Sequence, residues 1–396
     1  PEALLPRSYD PVTSMFTFPH AAGLPAHKFF ISHAPAPLRE SVRLLPHTGS
    51  PHKALHVRGE TASIESELAL AQRYEPLGFA LRIETDALPQ RRVALQPTLS
   101  TYTVTTTADS GLGSLRQCLL DATPGTMCSF DPAAFPPGAP ATIALLSPLP
   151  SIVTDSLTID GSNAGVVLNG SGLSTGDGLF IIGADGVIIR GLQILNFPRD
   201  GITLAGGASN VIIGGDRSVG AAPLGQGNLI SSNGITGIWL QDAGTTGNQV
   251  LGNYIGTDPT GRHPLGNWKS GIHIMQGASE NHIGPNNLIA HNRKVGIAVE
   301  GADSIRNFIT QNSIFSNDKT AIINEGGGNL ELPVPEIISA GTRHIRGWAG
   351  PGQTIEIFSD EEEECQFYEA SSVAEPSGMF EFTLPAGNFR GRTISA

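Results

Sequence analysis

Between residues 187 and 323 the apolar positions repeat one phrase, Gly-Ile-x-apolar followed by Asn-x-Ile-x-x-Asn. The first half reads GITL at 201, GIWL at 237, GIHI at 271, GIAV at 296 and AIIN at 321, and the second half recurs from Asn228, Asn248, Asn287 and Asn307. Gly271, Gly296 and Ala321 stand 25 residues apart. A period of that length marks one coil of a solenoid made of short strands and sharp turns. Alternate strand residues share a face, so Ile202, Ile238, Ile272, Ile297 and Ile322 are expected to form one inward row, with Leu204, Leu240, Ile274 and Val299 as a second. The asparagines fall where strands turn. They are read as scaffold, because Asn tolerates φ > 0 and like amides stacked about 4.8 Å apart can hydrogen-bond along the axis. Two insertions, 214–227 and 256–267, stretch the repeat to 36 and 34 residues and are expected to emerge as loops on one side.

The pattern changes at both ends. A strand, TYTVTTTA from Thr101, leads to Ser114 and Gln117, a capping-box pair that predicts a helix over 114–122. Leu115, Leu119 and Leu120 are expected on one face, making this helix a lid over the open coil end. After Gly326-Gly327-Gly328 the period stops, and residues 333–396 read as a small antiparallel β-sandwich whose last residues begin another strand, as though the natural chain continues. The acidic run 360–364 reads as a solvated hairpin loop. Residues 1–97 are poor in glycine and read as a separate β-sandwich-like domain with one helical stretch at 61–73; its six histidines read as loop residues.

Composition narrows the partners. With 48 glycines and 15% charged residues in 396, the chain is a turn-rich β protein with room for two or three domains. A net charge of -12 argues against nucleic acid or an anionic membrane, and no apolar run has the length of a membrane span. Residue 1 is proline, which suggests a processed or trimmed chain. Cys118 and Cys128 are close enough to close a disulfide loop suited to a secreted protein, leaving Cys365 odd. No Cys/His spacing resembles a zinc site, and no acidic cluster offers a clear place for calcium, so no cofactor is expected.

The stretch TADSGLGSLRQCLLDATPGT, then SPLPSIVTDSLTIDG and GNYIGTDPTGRHPLGN, resembles a large family of secreted bacterial right-handed parallel β-helix proteins with an S-L-R-[EQ]-A-I-type cap and trailing sandwich domains. The resemblance covers residues 101–396. It implies an all-β chain whose residues 98–330 form a right-handed parallel β-helix, pectate-lyase-like in the broad sense, placed outside the cell or on its surface. More distant β-helix relatives include pectate and alginate lyases, polygalacturonases and epimerases. The aspartate pairs of polygalacturonases are missing here, and the Asp-Pro-His signature of the epimerases is broken at Asp258-Pro259-Thr260.

Aligned coils allow columns to be read as neighbours. The outward column Thr203, Trp239, His273, Ala298, Ile323 places an indole beside an imidazole, and Trp239 reads either as an exposed sugar-stacking ring with its N–H available or as an aromatic tucked under one of the insertion loops. Two positions before each Gly run Arg199, Ile235, Lys269, Lys294 and Lys319, a basic stripe suited to a polyanion. Beside it Trp268, Arg293 and Asp318 would set Arg293 between an aromatic face and a carboxylate. The outward column carries no carboxylate, and Asp200 and Asp242 lie beside turns, which disfavours hydrolysis. The expected function is therefore a structural or adhesive β-helix protein. It would contact extracellular polysaccharide, or other surface-protein subunits, through Trp239, Trp268, Lys269, His273, Lys294 and Lys319. The alternative is a polysaccharide lyase on uronic-acid glycans, with Lys269 or His273 as base and Arg293 or Lys294 neutralising the uronate.

Overall fold

The computed structural model describes residues 100–360, 364–385, 387–391 and 393–396, together with five short strands before residue 100. The chain divides into two units, 1–98 and 99–396. In the first, Ser8–Asp10, Met15–Thr17 and Lys28–Phe30 form an antiparallel sheet, and Ala54–Arg58 pairs in parallel with Ala80–Glu84. The helical stretch expected at 61–73, much of the expected sandwich, and the side chains of the six histidines lie outside the described residues.

The second unit is a parallel β-helix with a sandwich at one end. Each coil contributes a strand in turn to three parallel sheets. The first sheet runs from Thr101–Val104 to Phe308–Ile309, the second from Ala141–Ala144 to Ser313–Phe315, and the third from Leu179–Ile182 to Ile322–Glu325. Ile202, Ile238, Ile272 and Ile297 pair in register along the third sheet and are fully buried. Each such side chain contributes about 1.5–3 kcal/mol of transfer free energy. Ile322 continues the register but is 37% exposed, because the third sheet ends there and no further strand of it stacks beyond.

The glycine that opens each third-sheet strand has a packing reason. A Cβ at Gly201, Gly237, Gly271 or Gly296 would lie 2.6–2.8 Å from the carbonyl oxygen of the matching residue in the next coil. None of the four has a positive φ, so the need is for space. The column ends in Ala321, where no further third-sheet strand stands in the way. Gly271→Ala should therefore lower stability by about 1–3 kcal/mol, read as a shift in the denaturant midpoint at unchanged slope.

The asparagines form three buried ladders, one at each corner of the coil. Asn228, Asn253, Asn287 and Asn312 link amide to amide at 2.9–3.1 Å. Asn233, Asn267, Asn292 and Asn317 do so at 2.9–3.0 Å at the second corner, and Asn248, Asn281 and Asn307 at 2.8–3.0 Å at the third. The expected φ > 0 is not carried by these asparagines. It falls on the residue before many of them, as at Ser232, His291 and Ser316 with φ of 57°, 60° and 52°. That turn swings the following amide inward, where it bonds along the stack.

The insertions leave from the two corners that flank the second sheet: 214–227 joins the first sheet to the second, and 256–267 joins the second to the third. Both fold back on the second sheet, with Arg217 over the Tyr254 ring at 4.9 Å and Gly261 packed near Tyr254 and Leu288. At the amino end the helix Leu115–Asp121 caps the stack. Ser114 accepts from the Gln117 amide at 3.1 Å, but the Gln117 side chain turns to Asp121, so only half of the capping box forms. Leu115 and Cys118 are buried and Leu119 is partly buried, whereas Leu120 is 62% exposed and not on the covered face. Cys118 is disulfide-bonded to Cys128 across a Cα separation of 6.1 Å, tying the helix to the first sheet.

At the other end two three-stranded antiparallel sheets enclose Ile345, Ile355, Ile357 and Phe380. They are joined to the last coils by backbone hydrogen bonds of 2.9 Å in both directions between Ile314 and Cys365, and by Glu356, which accepts from the Gln311 amide at 2.9 Å and from the Thr310 hydroxyl. Asp360 and Glu364, expected in a solvated loop, are 2% and 8% exposed; Glu364 accepts from the Asn317 amide at 3.4 Å. Glu364 thus helps hold the junction between β-helix and sandwich, whereas Asp360 lies inside the sandwich, paired with Thr393. Residues 361–363 lie outside the described residues.

Candidate functional site

Two groups of side chains face outward on neighbouring parts of the coil. On the third sheet, strand register places Thr203, Trp239, His273, Ala298 and Ile323 in one column. The Trp239 and His273 rings stack with centroids 5.5 Å apart and 26° between planes. Trp239 is half-buried, and its Nε1 is buried without a hydrogen-bond partner among the described residues. Of the two sequence readings, the exposed indole with an available N–H is not the one seen: the ring stacks on His273 and its N–H is buried.

His273 Nε2 lies 3.1 Å from Glu300 Oε2. Burial pushes the imidazole below the usual histidine range, Glu300 opposes that, and Lys269 adds to it. Glu300 belongs to a second outward column, two residues on, in register with Glu325. The column between the two inward rows carries no acid, which hid this pair; the signal was two glutamates spaced by one coil at the strand end. Both carboxylates are solvent-accessible, whereas a glycosidase's general acid sits in a desolvating pocket.

The second group lies at the second corner. Backbone hydrogen bonds of 3.0 Å from Lys294 to Lys269 and 2.9 Å from Lys319 to Lys294 put the three lysines in one column, all exposed. None forms an ion pair or a side-chain hydrogen bond among the described residues. Alongside, the Arg293 guanidinium stands 4.2 Å over the ring of Trp268, which is 59% exposed. The carboxylate expected on its other side is not engaged: Asp318 makes no ion pair with Arg293.

Asp200 and Asp242 serve the scaffold. Asp200 is fully buried and accepts from the Thr236 amide at 2.8 Å; burial pushes its pKa to about 6. Asp242 accepts from the Gly206 amide at 2.9 Å. Among the described residues no three His, Cys, Asp or Glu side chains gather as a metal site, and no helix is long and apolar enough to cross a membrane.

No protein-family model matches the chain, and no curated protein does. Among solved structures, the pectate lyase Pel9A is similar to it at 14% identity and a TM-score of 0.29, over 57% of this chain and 53% of that one. Jun a 1, the major allergen from cedar pollen, is similar at 19% identity and a TM-score of 0.26, over 57% of this chain and 71% of that one. The chain thus spans about half the length of the pectate lyase it matches. Likeness at these scores carries no statement about activity, so function has to be argued from the side chains.

Proposed function

We propose that this chain is a structural or adhesive β-helix protein of the cell surface or extracellular space that binds acidic polysaccharide along its second corner. The observation that carries this reading is the lysine column. Lys269, Lys294 and Lys319 are stacked by the coil ladder, exposed and unpaired, in a protein whose net charge is -12. Like charges held about 4.8 Å apart repel, and a polyanion lying parallel to the helix axis relieves that repulsion at every coil. Trp268 adds an apolar edge for sugar rings. The Cys118–Cys128 disulfide suits an oxidising compartment. Replacing the three lysines by glutamine together should weaken binding of polygalacturonate about tenfold at low salt, at about 0.5 kcal/mol per exposed charge. Equal binding by the triple variant and the parent in a sedimentation or calorimetric assay would sink the proposal.

The lyase reading is favoured by one feature, an imidazole that burial holds below the usual histidine range, with Lys269 adding to that effect. A neutral imidazole can take a proton from carbon α to a carboxylate. If it does so here, polyuronates should yield unsaturated products absorbing in the ultraviolet, and His273→Ala should abolish them. A flat trace on every polyuronate, with and without calcium, removes this reading and leaves binding in place.

A further inference from the structure

Beside the lysine column the coil carries a cleft of about 450 Å³, within the size range of small-molecule sites. The insertion at the second corner makes one wall of it through Pro264, Leu265 and Gly266. Ser232, His291 and Ser316 line it from single-residue left-handed turns. Arg293 and Asp318 complete the lining from successive coils.

The charged pair decides what the cleft can hold. Arg293 is positioned by the Trp268 ring, and among the described residues its guanidinium donates no hydrogen bond, so its N–H groups are unspent there. Asp318 borders the same space without closing an ion pair on it. A donor fork and an acceptor pair therefore share one cavity instead of neutralising each other. A planar fork matches a carboxylate in two parallel hydrogen bonds, whereas ring hydroxyls can donate to an aspartate and exchange hydrogen bonds with serines.

We propose that this cleft is a subsite for one uronic-acid residue of the bound glycan, its carboxylate on Arg293 and its hydroxyls on Asp318, Ser232 and Ser316. The inference rests on the acidic-polysaccharide reading and deepens it. Lys294 and Lys319 directly follow Arg293 and Asp318 in sequence, so a chain seated in the cleft continues along the lysines. Recognition would thus have two parts: sequence-blind attraction by the column, and selection for a free carboxylate in the cleft.

The test compares trigalacturonate with its methyl ester, which keeps the rings and removes the charge, by calorimetry on the full chain. The parent should prefer the acid about tenfold. Arg293→Gln should lose that preference, and Asp318→Asn should weaken acid and ester alike. Both residues are exposed, so unfolding midpoints near that of the parent should confirm intact folds. Equal binding of acid and ester by the parent, or an undiminished preference in Arg293→Gln, overturns the subsite. The lysine triple variant reports separately: if it keeps full polygalacturonate affinity while the trimer preference depends on Arg293, the column reading fails and the subsite stands.

Discussion

Asn267→Ala should destabilise the β-helix by about 4 kcal/mol, a large loss for a single amide of the second-corner ladder. The Asn267 side-chain oxygen accepts from both the backbone and the side-chain nitrogens of Asn233, each at 3.0 Å. Its nitrogen donates to the Ile230 carbonyl at 3.1 Å and to Asn292 at 2.9 Å. Truncation strands two donors of Asn233 where water does not reach, since Asn233 is 1% exposed and Asn267 fully buried. Each orphaned buried group costs about 1–3 kcal/mol. Asn317→Ala abandons two buried donors of Asn292, but Asn317 stands at the ladder's end and is 8% exposed, so water can enter the space it leaves and the cost should be about half as much. Denaturant unfolding followed by circular dichroism measures both. Equal losses would mean that the ladder gives no extra stability to its middle, and a loss below about 1 kcal/mol at Asn267 would remove the argument altogether.

This ladder also shows how far the sequence could be read. The 25-residue spacing located the inward isoleucines and the amide stacks, because strand alternation and coil period are local rules that the chain obeys in every repeat. The reading failed where a residue's fate depends on what lies beyond its own coil. Ile322 follows the row yet is exposed because the sheet stops. Asp360 and Glu364 look like a solvated run yet are buried against the sandwich and last coil. Of the candidate site, the lysine column and the Trp268–Arg293 stack were legible as columns. Glu300 was not, since its contact with His273 crosses both strand and column. Nor was the burial of the Trp239 N–H, which depends on how the ring lies on its neighbour. The cleft at the second corner needed the insertion's folded path, which the repeat does not encode.

A second large effect is expected at Asp200, with the opposite sign. Burial, reinforced by the Asp177 charge, raises its pKa from 3.8 to about 6, against the hydrogen bond from Thr236 and the attraction of Arg199. Below about pH 4 the group is protonated whether the chain is folded or not, and it costs no stability. Between about pH 4 and 6 the unfolded chain releases the proton while the folded chain still holds it, so stability falls as pH rises. Above pH 6 the loss is complete, and the interval from 3.8 to about 6 corresponds to about 3 kcal/mol. Asparagine at this position keeps an oxygen for the Thr236 amide and turns a repelled carboxylate oxygen into an amide that can face Asp177. Asp200→Asn should therefore be about 2–3 kcal/mol more stable than the parent at pH 7.5 and equal to it near pH 4. Thermal melts at the two pH values decide the matter. A gain that persists at pH 4 would point to packing, and no gain at pH 7.5 would mean that Arg199, 4.0 Å from the buried carboxylate, already offsets its charge.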